Sequence, residues 1–87
     1  MGYKLKFSKY SLKDAKRLEE SGLDGKAKEI LKIIKENPYQ NPPPYEKLKG
    51  DLQGKFSRRI NIHHRLIYEV LEEERVVKIY RMWTHYE

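Results

Sequence analysis

The chain has 87 residues, 19 Lys plus Arg against 13 Asp plus Glu, a formal net charge of +6 and no cysteine. That length predicts a single domain, residues 1–87, with no room for a second core and a small stability margin. The missing cysteines exclude a disulfide framework and thiolate chemistry. No stretch approaches membrane-spanning length or resembles a signal peptide, so a cytoplasmic protein without membrane contact is expected.

The cationic excess favours a polyanionic partner, most simply nucleic acid. It is also segregated. Residues 46 to 65 hold Lys47, Lys49, Lys55, Arg58, Arg59 and Arg65 against Glu46 and Asp51, while acids gather at Glu19-Glu20 and Glu72-Glu73-Glu74.

In chain order, residues 3 to 9 alternate apolar and basic, which predicts a strand with Tyr3, Leu5 and Phe7 on one face and lysines protecting an edge. Ser11 followed by Asp14 predicts an N-cap and a helix to about Glu20, with Leu12, Ala15 and Leu18 buried. Ser21-Gly22 ends it. A second helix starts near Asp24-Gly25. Its Ala27, Ile30, Leu31 and Ile34 repeat at i, i+3, i+4 and i+7, and Asn37-Pro38 stops it. The two helices form a hairpin. Residues 38 to 45, with three consecutive prolines, predict a stiff, extended connection that delivers Glu46 to a set place. Glu46 to Lys49 is a short strand and Gly50 to Gly54 a turn. Strands follow at Phe56–Asn61, Arg65–Leu71 and Val76–Trp83, the last two joined by a glutamate turn. The fold class is α+β: an N-terminal strand, a two-helix hairpin, then a three- to four-stranded antiparallel sheet.

Several of these residues suit acid–base work on a phosphodiester, which needs a base, positive charge for a crowded anionic transition state and an acid for the leaving oxygen. Glu46 follows a rigid loop inside a basic stretch. Arg58 and Arg59 are strand neighbours and point to opposite faces, so one faces phosphate while the other pairs with an acid, unless a bulge intervenes. Arg65 offers a planar guanidinium suited to bidentate phosphate binding. His63 and His64 lie at a turn, where one of them bonds the loop or RNA; no third ligand at a recognisable spacing supports a metal. His85 carries an imidazole, the side chain ordinarily suited to moving protons at neutral pH, Tyr86 offers a stacking face, and Trp83 is an anchor expected to pack the tail down.

The run Glu46-x-Leu48-Lys49, Leu52-x-Gly54-x-x-Ser57-Arg58-Arg59-Ile60, His64-Arg65-Leu66-Ile67-Tyr68 and the near-terminal His85-Tyr86 resembles the YoeB/Txe toxins of the RelE/ParE superfamily. The resemblance implies a RelE-like microbial RNase fold and a ribosome-dependent mRNA endoribonuclease from a type II toxin–antitoxin pair. Cleavage then occurs in the ribosomal A site by attack of the 2′-hydroxyl on the adjacent phosphate, with no metal or other cofactor. It implies Glu46 as general base, Arg65 as the charge on the phosphorane, His85 as general acid and Tyr86 as the orienting residue. Lys49, Arg58, Arg59 and His64 become RNA or ribosome contacts. The implied partners are a YefM/Axe-like antitoxin, mRNA and the ribosome; a second copy of the chain is a further expected partner, since it would raise the buried area of so small a domain. The chain departs from the family pattern in Glu87 after the His-Tyr pair, and in Tyr45 and Lys47 where prolines often flank the glutamate. Two other readings stand beside this one: a ParE-like toxin that binds a protein such as DNA gyrase, and a non-catalytic RNA-binding module.

Overall fold

A computed structural model describes residues 2–83. Strand β1 (Lys4–Phe7) leads to helices α1 (Lys9–Glu20) and α2 (Asp24–Glu36), then β2 (Glu46–Lys47), a single 3-10 turn (Gly50–Leu52), β3 (Lys55–Arg59), β4 (Arg65–Leu71) and β5 (Val76–Arg81). All five strands share one sheet in the order β1-β5-β4-β3-β2. The class is the expected α+β, with one addition. The N-terminal strand joins the same sheet, pairing parallel to β5 with Lys4 opposite Val76 and Phe7 opposite Ile79. A parallel pair needs a crossover, and the helical hairpin is part of the chain that supplies it.

The hairpin covers one face of the sheet. Leu18, Ala27, Ile30 and Ile34 from the helices pack on Leu66, Tyr68, Val77 and Ile79 from the central strands, with Tyr3, Ile60 and Met82 at the margins. The opposite face carries Lys55, Ser57 and Arg59 of β3 and Arg65, Ile67 and Glu69 of β4, by strand alternation. This uncovered side is where the basic residues meet.

Helix α1 starts earlier than expected. Its cap is Ser8, whose Oγ accepts from the Ser11 N–H, rather than Ser11 itself. Ser11 and Asp14 are buried with Leu18, whereas Leu12 is 59% exposed. The stripe is centred on Asp14 because that carboxylate reaches β5: it accepts from Arg81 Nε at 2.8 Å and from the Met82 N–H at 3.0 Å. Burial pushes the Asp14 carboxyl up, but the hydrogen bonds from Arg81 and Met82 and the guanidinium's charge outweigh it and hold its pKa below the ordinary value. Helix α2 ends at Glu36, where Asn37 turns extended ahead of Pro38.

The 38–45 segment is not the extended spacer its prolines predict. It turns at Pro38-Tyr39 and bends again at Pro42-Pro43, because a buried side chain from β3 gathers its carbonyls.

Candidate active site

That side chain is Arg58, 1% exposed. Its guanidinium donates to the carbonyls of Pro43 at 2.6 Å, Gln40 at 2.9 Å and Pro38 at 3.0 Å, and its Nε donates to the Tyr68 hydroxyl at 3.0 Å. Tyr68 in turn donates to the Pro38 carbonyl. The Tyr45 ring lies 4.9 Å from the guanidinium carbon, and Phe56 packs edge-on against Tyr45 and Tyr39. Neutral carbonyls and aromatic faces thus take the place of the acid that alternation suggested as a partner. Arg58 cannot also serve as the RNA contact expected of it, since its donors are engaged inside the protein.

The curled loop ends where the edge strand β2 begins. Glu46 pairs with Ser57 across β2–β3, and Ser57 pairs with Ile67 while Arg59 pairs with Arg65 across β3–β4. Directly paired residues share a face, so Glu46, Ser57, Arg59 and Arg65 all point to the uncovered side. Arg65 Nη1 lies 3.4 Å from Glu46 Oε1 and 3.3 Å from Ser57 Oγ. Together with Pro44 and Tyr45 these four residues line a cleft of about 300 Å³.

The cleft is lined by one carboxylate and two guanidinium groups, and Arg65 reaches the carboxylate. The Glu46 side chain is 66% exposed and that of Arg65 is 23% exposed. A pair so wet contributes little stability, and an incoming phosphate can take the guanidinium without a large penalty. Geometry of this kind can accept a proton at Glu46 while fixed cations stabilise a neighbouring anion.

The other expected residues fall elsewhere. Lys49 lines a separate hollow with Lys47 and Lys55, beside the cleft rather than within it. His64, expected at the loop or the RNA, has another partner. Its ring stacks on Trp83 with centroids 4.0 Å apart, and its Nδ1–H donates to the Trp83 carbonyl, a tautomer fixed by a carbonyl's inability to donate. Trp83 is thus anchored on His64, the residue that precedes Arg65 in the chain. His85 and Tyr86 lie outside the described residues. Sequence reasoning missed Ser57, although the alternation that places Arg59 outward also places Ser57 there. It also missed Tyr45 as a wall of the cleft.

A family model described as the YoeB-like toxin of bacterial type II toxin–antitoxin systems matches residues 7–86. The chain belongs to this YoeB-like family. A Toxin YoeB from Streptomyces coelicolor is 38% identical over 48 residues, 55% of this chain and 57% of that protein. A Synechocystis Toxin YoeB is 35% identical over 48 residues and is matched over 56% of its length, so the chain spans little more than half of these curated relatives. Solved structures agree along almost the whole chain. The YoeB/ParE toxin from Agrobacterium tumefaciens superposes with a TM-score of 0.86 at 27% identity, over 95% of this chain and 99% of that one. The YoeB chain of a YoeB–YefM complex from Staphylococcus aureus gives a TM-score of 0.81 at 34% identity, over 99% of this chain and 100% of its own. The curled proline loop, the edge-strand glutamate and the outward arginines of this chain thus sit on a fold shared with YoeB toxins.

Proposed function

We propose that this YoeB-like chain is a ribosome-dependent mRNA endoribonuclease that blocks translation. The observation that carries the reading is the cleft: Glu46, Ser57, Arg59 and Arg65 converge on the uncovered sheet face, with Arg65 Nη1 within 3.4 Å of both Ser57 Oγ and Glu46 Oε1. In the proposed reaction Glu46 takes the proton of a ribose 2′-hydroxyl. The 2′-oxygen bonds to the adjacent phosphorus, and the bond to the 5′-oxygen of the next nucleotide breaks. Arg65 and Arg59 stabilise the crowded phosphorane. His85 gives a proton to the departing oxygen and Tyr86 orients the phosphate, both carried from the family pattern. Cleavage leaves a 2′,3′-cyclic phosphate and a 5′-hydroxyl, and DNA is spared because it lacks the nucleophile. Lys49, two residues beyond β2, lines the neighbouring hollow and serves the flanking RNA.

A YefM-like antitoxin is the proposed inhibitor, since solved relatives include a YoeB–YefM complex. A second copy of the chain is a further proposed partner, because a YoeB dimer from Staphylococcus aureus shares the fold. Action on ribosomes places the protein in the cytoplasm.

Purified protein added to a translation extract tests the reading. The expected result is mRNA cut at the A-site codon, with cutting lost in Arg65→Ala and His85→Ala while ribosome binding persists. Intact mRNA together with a growth block would instead favour a ParE-like protein target.

A further inference from the structure

Beside the cleft, on the same uncovered face, lies a second hollow of about 310 Å³. Tyr10, Leu52, Ile67 and Tyr80 form its walls, and Lys55 and Arg81 reach it from either side. A β-bulge builds it. Across β4–β5, Ile67 opposes Arg81 and Tyr68 opposes Ile79, leaving Tyr80 as the extra residue. Strict alternation could not bury both Ile79 and Met82, yet both are in the core. The bulge resolves this by turning two consecutive side chains, Tyr80 and Arg81, toward the hollow.

Both are held in place. The Tyr80 hydroxyl donates to Glu69 at 2.7 Å, and its backbone carbonyl accepts from Ser8 Oγ at 2.7 Å. Arg81 is fixed by Asp14. The Glu69 hydrogen bond and burial push the Tyr80 phenol up to about 12, so it stays neutral at working pH and offers a ring face rather than a proton. Cations lie over both aromatic walls: Lys55 Nζ is 4.8 Å and Lys78 Nζ 5.1 Å from the Tyr80 centroid, and the Arg81 guanidinium carbon is 5.6 Å from that of Tyr10.

The hollow adjoins the cleft. Ile67 lies two residues from Arg65 on the same face of β4, about 7 Å along the strand, and its cross-strand partner Ser57 lines the cleft. An apolar floor with aromatic walls and a cationic rim matches one nucleobase carrying its phosphate. The volume suits a single planar ring system and is too small for the face of a helix.

We propose that this hollow seats the base of the nucleotide flanking the scissile linkage, with Tyr80 as its stacking platform, and that it sets which sequences are cut. The inference rests on the ribonuclease reading of the cleft.

Ribosomes programmed with mRNAs randomised at and beside the A-site codon test it in the full-length protein. Wild type and Tyr80→Phe are expected to cut the same biased set of sites. Tyr80→Leu, which keeps apolar bulk but loses the ring, is expected to flatten that bias and raise KM about tenfold, the loss of one base–aromatic stack, with kcat changing less. Unchanged sites and KM in Tyr80→Leu overturn the inference, as does a fall in kcat with the site bias intact, which marks a merely structural role. If wild type cuts nothing, the ribonuclease reading fails, and the hollow is judged by ultraviolet crosslinking of short single-stranded RNA to the intact protein. Crosslinks on the Tyr80 peptide then support a base site. Crosslinks only elsewhere, or protection of Tyr80 by antitoxin and not by RNA, overturn it.

Discussion

Arg58 is a cation that the fold has enclosed without a carboxylate partner among the described residues. Three loop carbonyls and a phenol converge on it, so removing it strands several acceptors at once. Each buried group left unpaired costs about 1–3 kcal/mol. Arg58→Met is therefore expected to lower stability by about 3 kcal/mol, read as a shift in the urea midpoint. Arg58→Lys should recover little of it, because a point charge cannot span three carbonyls as a planar fork does. Arg65 is the contrasting case. It is partly exposed, and Arg65→Ala should leave the urea midpoint nearly unchanged while cutting the cleavage rate about 10²–10³-fold. The Arg-Arg dipeptide showed in the sequence that one guanidinium faces in and the other out. Which one faces in, and that carbonyls would receive it, was not legible. Those acceptors belong to the backbone of a proline loop whose path is fixed only once the arginine is inside it.

At the scale of the elements, the charged anchor between α1 and β5 among the described residues is the Asp14 carboxylate. Asp14 has a lowered pKa, so the native state binds its proton less readily than the unfolded chain does. Its contribution to stability is full above the ordinary carboxyl value of about 4, and is lost as the pH falls through the lowered native value. Asp14→Asn is expected to cost about 1–2 kcal/mol near neutrality and to flatten the acid side of a stability–pH curve measured by thermal melts. Ser8 caps the same helix and also donates to the Tyr80 carbonyl. Ser8→Ala should lower stability by about 1 kcal/mol, seen in the same melts. Helix α2 was read almost to the residue, because its apolar spacing and the proline beyond it are local signals. The start of α1 was not. Ser8 and Ser11 both fit a cap, and what decides between them is the reach of Asp14 to a strand far along the chain. Strand β4 and its two faces were legible from alternation alone. The bulge in β5 was not, because it answers to the core demand for both Ile79 and Met82.

For the molecule as a whole, the helices cover one sheet face only, and the charge pattern makes the other basic. Binding of a short single-stranded RNA should weaken steeply with salt. If Lys55, Arg59 and Arg65 each meet a phosphate, the logarithm of affinity should fall with the logarithm of salt at a slope of about −2. Arg59→Gln should make the slope shallower by about 0.7, as measured by fluorescence anisotropy. Among the described residues no helix is long and apolar enough to cross a membrane. The sheet's edges were only half legible. The lysines of β1 announced an edge strand, but nothing local announced that its neighbour would be β5 rather than the next strand in sequence.

That parallel neighbour has a consequence for how the chain is made. Lys4 emerges from the ribosome early, yet its partner Val76 is synthesised only after both helices, the proline loop and three more strands. Until then β1 has an unclaimed row of amide groups, and β4 has one side open. A translation product cut short before Val76 therefore has no means of joining its two ends, and an aborted message should yield a fragment that is cleared by proteases instead of a partly active poison.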